Sequence, residues 1–138
     1  MKEGHNKTHT YDPECPFCES ERKRPRRVYV AGAYSSDNVL GVLNNIREGI
    51  KVSAAVLKAG HSPFCPWADH LFHLQDGTLT VEQYQQSSMS WLEVSDVVLL
   101  VPGWENSKGT RKEIARATEL GIPVVEHLLD IEKGERDA

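Results

Sequence analysis

Val97-Val98-Leu99-Leu100-Val101, five apolar residues in a row between Asp96 and Pro102, decide the architecture. A strand with one wet face alternates apolar and polar side chains; an unbroken, β-branched run of this length reads as a strand covered on both faces, as in a parallel sheet. After it, Pro102 to Ser107 forms a loop. A helix then runs from about Lys108 to Leu120 and stops at Gly121. Ile122-Pro123-Val124-Val125 follows as another buried strand with its proline at the start, where no ladder hydrogen bond is lost.

Upstream, Val28-Tyr29-Val30-Ala31 is short, β-rich and followed by Gly32, the pattern of a buried first strand entering a turn. Asp37 or Asn38 can cap the next helix. Along that helix Val39, Leu43, Ile46, Ile50, Ala54 and Leu57 recur at helical spacing, which predicts one amphipathic face, and Gly60 sits at the C-cap position. His61 to Pro66 is a short extended piece whose prolines exclude a central strand. Asp69 to Gln75 allows a helical turn, Asp76-Gly77 breaks it, and Thr80 can cap a helix running from Val81 towards Leu92. Strands alternating with helices, joined by right-handed crossovers, predict a flavodoxin-like or Rossmann-like three-layer α/β sandwich with a parallel sheet of four or five strands.

The chain of 138 residues is one domain's worth, and 39% hydrophobic with 26% charged residues is ordinary globular usage. A formal charge of −4 argues against dedicated nucleic-acid or anionic-membrane binding. No apolar run approaches the roughly 18 residues of a membrane span, and the N-terminus does not read as a signal peptide. Three cysteines do not make a disulfide framework, so the expected location is cytoplasmic. Residues 1–27 read as a flexible arm carrying Cys15-Pro16-Phe17-Cys18 and the basic run Arg22 to Arg27; residues 28–130 as the domain; residues 131–138 as a charged tail.

In open parallel sheets ligands bind beyond the carboxyl ends of the strands, where strand order reverses. Two loops occupy such ends: Gly32-Ala33-Tyr34-Ser35-Ser36-Asp37 and Pro102-Gly103-Trp104-Glu105-Asn106-Ser107-Lys108-Gly109-Thr110. Small residues let a ligand approach the backbone, and hydroxyls beside a helix N-terminus suit a phosphate; ordinary turn chemistry accounts for the same residues equally well. Neither a GxGxxG nor a GxxxxGK[ST] motif is present. Glu113 stands four residues after Gly109, one turn into the helix, where its carboxylate can reach over the same pocket or simply complement the dipole.

Tyr29-Val30-Ala31-Gly32-Ala33-Tyr34-Ser35, together with Ser95 to Leu100, Ser107-Lys108-Gly109 and Glu113-Ile114-Ala115-Arg116-Ala117, resembles the nucleoside 2-deoxyribosyltransferase superfamily over about Val28 to Glu126. The segment Pro102 to Gly109 is similar to its small, often phage-borne members, with the 2′-deoxynucleoside 5′-phosphate N-hydrolases more distant. The resemblance implies an N-glycosidase or N-glycosyltransferase acting on a nucleoside or nucleoside 5′-monophosphate. It casts Glu113 as the nucleophile, Ser107 and Gly109 as phosphate holders, and Tyr29, Gly32, Tyr34 and Ser35 as the base and sugar side. It also implies a homodimer or larger assembly. Arg47 is a candidate counter-charge or a solvent-facing residue, and Trp104 a candidate stacking platform or interface residue.

One departure stands out. Where the family carries an acid three positions before a tryptophan, this chain has Ser88 before Trp91, and serine delivers no proton at neutral pH. Asp69, His70, His73 or Glu105 are the replacement acids; Asp69 with the two histidines is also a possible metal set, and structural packing of the histidines is the plainer alternative. Cys15 and Cys18 make half a zinc site at most, so no cofactor is expected beyond that possible structural zinc. The alternative to an enzyme is a non-catalytic nucleotide-binding module using the same pocket; a third reading is a partner-binding scaffold working through Arg22 to Arg27.

Overall fold

The computed structural model describes residues 24–131. Four strands form one parallel sheet: β1 (Arg27–Ala31), β2 (Ser62–Phe64), β3 (Val97–Leu100) and β4 (Val124–Val125), in the order β2-β1-β3-β4. Four α-helices connect them: α1 (Val39–Lys58), α2 (Asp69–Gln75), α3 (Val81–Glu93) and α4 (Lys108–Glu119). The chain leaves β1 towards β2 on one side and returns to β3 on the other, so the topological switch point lies between the carboxyl ends of β1 and β3.

Each face of the sheet buries its own core. Val28, Val30, Val97, Leu99 and Val101 point one way and pack with Val56 of α1, Trp67 and Ile131. Tyr29, Ala31, Val98 and Leu100 point the other way against Leu92 of α3 and Ala117 of α4. This is the three-layer sandwich that the apolar run in β3 predicts: all four of its strand residues are buried because helices cover both faces.

The helix ends follow local chemistry. The Asn38 side chain accepts the Gly41 amide at 2.7 Å to start α1, and Gly60, with φ of +91°, lets the chain turn away after it. Thr80 and Gln83 form a reciprocal capping box at α3, and Ser107 accepts the Thr110 amide to start α4.

Three expectations are corrected. First, the apolar row on α1 is not its core face. Ile46 packs inward, but Val39, Leu43, Ile50 and Leu57 are exposed, and the residues buried against the sheet are Gly49, Ser53 and Val56. The reason is steric: the Trp67 indole lies so close to α1 that a Cβ on Gly49 would stand 2.1 Å from the ring, so small residues occupy the inner face. Second, the strand over 122–125 is a two-residue, half-buried edge strand. Third, the basic run is not wholly free at its end: Arg24 sits bidentate on Asp96 at 3.0 and 3.3 Å, and Arg26 is buried beside β1. Asp96 also accepts the Arg27 amide at 2.8 Å, tying the entry of β1 to the entry of β3. Cys15, Cys18, Arg22 and Lys23 lie outside the described residues.

Candidate active site

Tyr29 sits in the middle of β1 with no solvent exposure, and its side chain points to the face covered by α3 and α4. There its hydroxyl donates to Oε2 of Glu113, which enters from the second turn of α4. The two residues are 84 positions apart in sequence and meet because β1 and β3 are neighbours and α4 folds back over β3. Burial pushes the Glu113 carboxyl up to about 7 from an ordinary 4.5, with the Tyr29 hydroxyl pulling partly the other way. The Tyr29 phenol is raised as well, by its own burial first and then by the negative charge of Glu113, so it remains a donor throughout the physiological range.

Ser88, on α3, acts on the Tyr29 phenol in the opposite sense, lowering it against the effects of burial and of Glu113. The ring of Tyr29 stacks on Phe64 of β2 at 5.3 Å, and Phe64 stacks on Trp91 at 5.8 Å, with ring planes within 23° in both pairs. Trp91 ends this aromatic ladder with 55% of its surface still exposed, one turn along α3 from Ser88. An exposed aromatic face at the end of a ladder that begins on the Glu113-bonded tyrosine is a surface on which a planar ring can stack.

Asp69, the first residue of α2, supplies the second acid. Burial raises its carboxyl, and its charge in turn raises the phenols of Tyr29, Tyr34 and Tyr84, although burial is the larger cause at each. Its charge therefore acts on three tyrosines, of which Tyr29 is the one bonded to Glu113. The Tyr84 hydroxyl oxygen is shielded from water and has no hydrogen-bond partner among the described residues. His73 turns its ring to Tyr84 at 6.5 Å, while the half-buried His70 makes no hydrogen bond or ion pair to a described residue. Among the described residues no group of three His, Cys, Asp or Glu could hold a metal, so a metal set of Asp69, His70 and His73 is corrected.

The two loops flank this centre. Asn45 of α1 donates to the carbonyls of Tyr34 and Ser35 at 3.1 and 3.3 Å, and the Trp67 indole N–H donates to the Ala33 carbonyl at 3.0 Å, so the first loop is held from below. A Cβ on Gly32 would stand 2.7 Å from that of Val101; this glycine is required by the packing of β1 against the end of β3. In the second loop Gly103 has φ of +93°, and Trp104 packs partly on the core with its indole N–H donated to Glu126 at 3.2 Å. Trp104 is therefore engaged within its own chain, and of the three tryptophans Trp91 is the exposed one. Ser107 caps α4 and also pairs with the Thr110 hydroxyl at 3.0 Å, and Gly109 is exposed with free space around it. Arg47 is exposed on α1 and makes no hydrogen bond or ion pair to a described residue.

Sequence reasoning picked out Glu113, Tyr29, Tyr34 and Asp69 and missed the use of Ser88 and Trp91 and the support from Asn45. The signal for the first two was their spacing of three on a capped helix, which puts both on one face. No helix of the described residues is long and apolar enough to cross a membrane. No curated protein matches the chain. From the buried arginine that precedes β1 to the carboxylate that holds the Trp104 indole, residues 26–126 match the family described as Domain of unknown function (DUF4406), and the chain belongs to that family.

Proposed function

We propose that the protein cleaves or transfers the N-glycosidic bond of a nucleoside or nucleoside 5′-monophosphate, with Glu113 as nucleophile. The observation that carries this reading is the half-buried Glu113 carboxyl, brought onto β1 next to the switch strand β3 and oriented by the Tyr29 hydroxyl. The resemblance to the nucleoside 2-deoxyribosyltransferase superfamily supports it. In the reaction one Glu113 oxygen forms a bond to C1′ as the bond from C1′ to the base nitrogen breaks, and the electron pair leaves with the base. The base takes its proton from an acid. Asp69 suits that role because burial favours its protonated form. Water, or a second base, then attacks C1′, returns a proton to the Asp69 carboxylate and frees Glu113. Trp91 offers the stacking face for the base. The amides around Gly109, with the Ser107 hydroxyl, offer donors for a 5′-phosphate. No resident cofactor takes part in this scheme.

Ser88 favours a second reading. It occupies the place where the resemblance expects an acid, and without proton delivery the same cleft would bind a nucleotide and leave it intact, as a sensing or sequestering module. A panel of nucleosides and deoxynucleoside 5′-monophosphates, assayed for free base, separates the two. Release of base that Glu113→Gln abolishes and Asp69→Asn slows is the expected result. Nucleotide that stabilises the protein yet stays intact for hours, with affinity unchanged in Glu113→Gln, overturns the enzyme in favour of the module.

A further inference from the structure

The outer face of α1 carries a second pattern. Leu40, Leu43, Arg47, Ile50, Ala54 and Leu57 are all exposed and follow one another at steps of three, four, three, four and three, the spacing of a coiled-coil seam. Leu40 is 79% and Leu57 65% exposed, and Leu43 and Ile50 are about half exposed, so the monomer leaves this strip uncovered. Aliphatic residues in such number along one helix of about 30 Å mark an interaction surface.

The strip is symmetric about its own midpoint, between Glu48 and Gly49. Turned end for end against itself it places Leu40 on Leu57, Leu43 on Ala54 and Arg47 on Ile50, each pair occurring twice. A two-fold contact requires this property, since one patch must complement itself. Charge selects the antiparallel arrangement. Parallel helices would set two Arg47 side chains in one layer. The antiparallel register gives each an aliphatic neighbour, Ile50 of the other copy, for its stem. One polar residue in an otherwise apolar seam fixes such a register.

We propose that α1 is the interface of a two-fold dimer of this chain, packed antiparallel on a second copy with Leu40 facing Leu57. A helix pair of this length lies at the low end of stable interfaces, so the dimer dissociates on dilution. The test is light scattering with size exclusion on the full chain. A dimer is expected at about 100 μM, where any interface with micromolar Kd is filled. Leu40→Glu and Leu57→Lys, each at a position the monomer leaves open, should separately raise Kd at least tenfold while circular dichroism and Tm stay near wild type. The double variant Leu40→Glu/Leu57→Lys should restore the dimer, in a salt-sensitive form, because the two new charges face each other only in the antiparallel register. A monomeric wild type, with the strip covered by the chain's own terminal residues or by nothing, overturns the proposal. So does a dimer indifferent to both single variants, or a double variant that remains monomeric.

Discussion

Replacing Glu113 with Gln should stabilise the protein at neutral pH, and the size of the effect follows from its burial. The side chain keeps its shape, and an amide oxygen can still accept from the Tyr29 hydroxyl. What is lost is a charge that the fold holds poorly. The carboxyl ionises at about 7 in the folded protein against an ordinary 4.5, and at about 1.4 kcal/mol per pH unit that gap is worth about 3 kcal/mol. The sign is fixed by linkage. A raised folded value means that the wild type is at its best, as far as this group is concerned, below pH 4.5. It loses stability as pH climbs through 7 and then levels off. The variant has no such loss. Urea unfolding at pH 4.5 and at pH 8 should therefore show nearly equal stabilities at the lower pH and a gain of about 3 kcal/mol for Glu113→Gln at the higher, or a rise in Tm on the order of 10 °C. A difference that does not change with pH would mean that the carboxylate is hydrated in the folded state, and the argument for a desolvated nucleophile at this position would fall. A gain in stability joined to loss of activity is the behaviour of a group held in place for chemistry at the expense of the fold.

Two further perturbations test how the site is built. Tyr29→Phe keeps the stack on Phe64 and removes the donor to Glu113; because that bond favours the charged carboxylate, the Glu113 titration should move upward by about one to two pH units, equivalent to about 1.5–3 kcal/mol, as read by carbon NMR of the carboxyl. An unchanged titration would show that the hydroxyl does not serve the carboxylate. Gly49→Ala gains about 1 kcal/mol in helix propensity, but its Cβ would collide with the Trp67 ring, so a thermal melt should show net destabilisation of about 1–3 kcal/mol and a loosened Ala33 carbonyl contact; a raised Tm would mean that the indole moves aside freely.

Much of the fold can be read locally. The unbroken run of β3, the Asn38, Thr80 and Ser107 caps, and the glycines at 60 and 121 each act through the backbone within a few residues, so the amino-acid order alone determines the α/β class and nearly all the element boundaries. Glu113 was visible for the same reason, as a carboxylate one turn into a capped helix. Which face of α1 meets the sheet was not visible. Its apolar residues cover more than one side, and the choice is made by the Trp67 indole, which arrives from another part of the chain and demands a glycine at position 49 beneath it. The partnership of Tyr29 with Glu113, the ladder from Tyr29 through Phe64 to Trp91, and the approach of Asp69 to the tyrosines likewise depend on strand order and layer packing. Periodicity reports what a segment can bury; only the three-dimensional arrangement decides which surfaces are brought close enough to exclude water, and it is that exclusion which raises the Glu113 carboxyl to about 7.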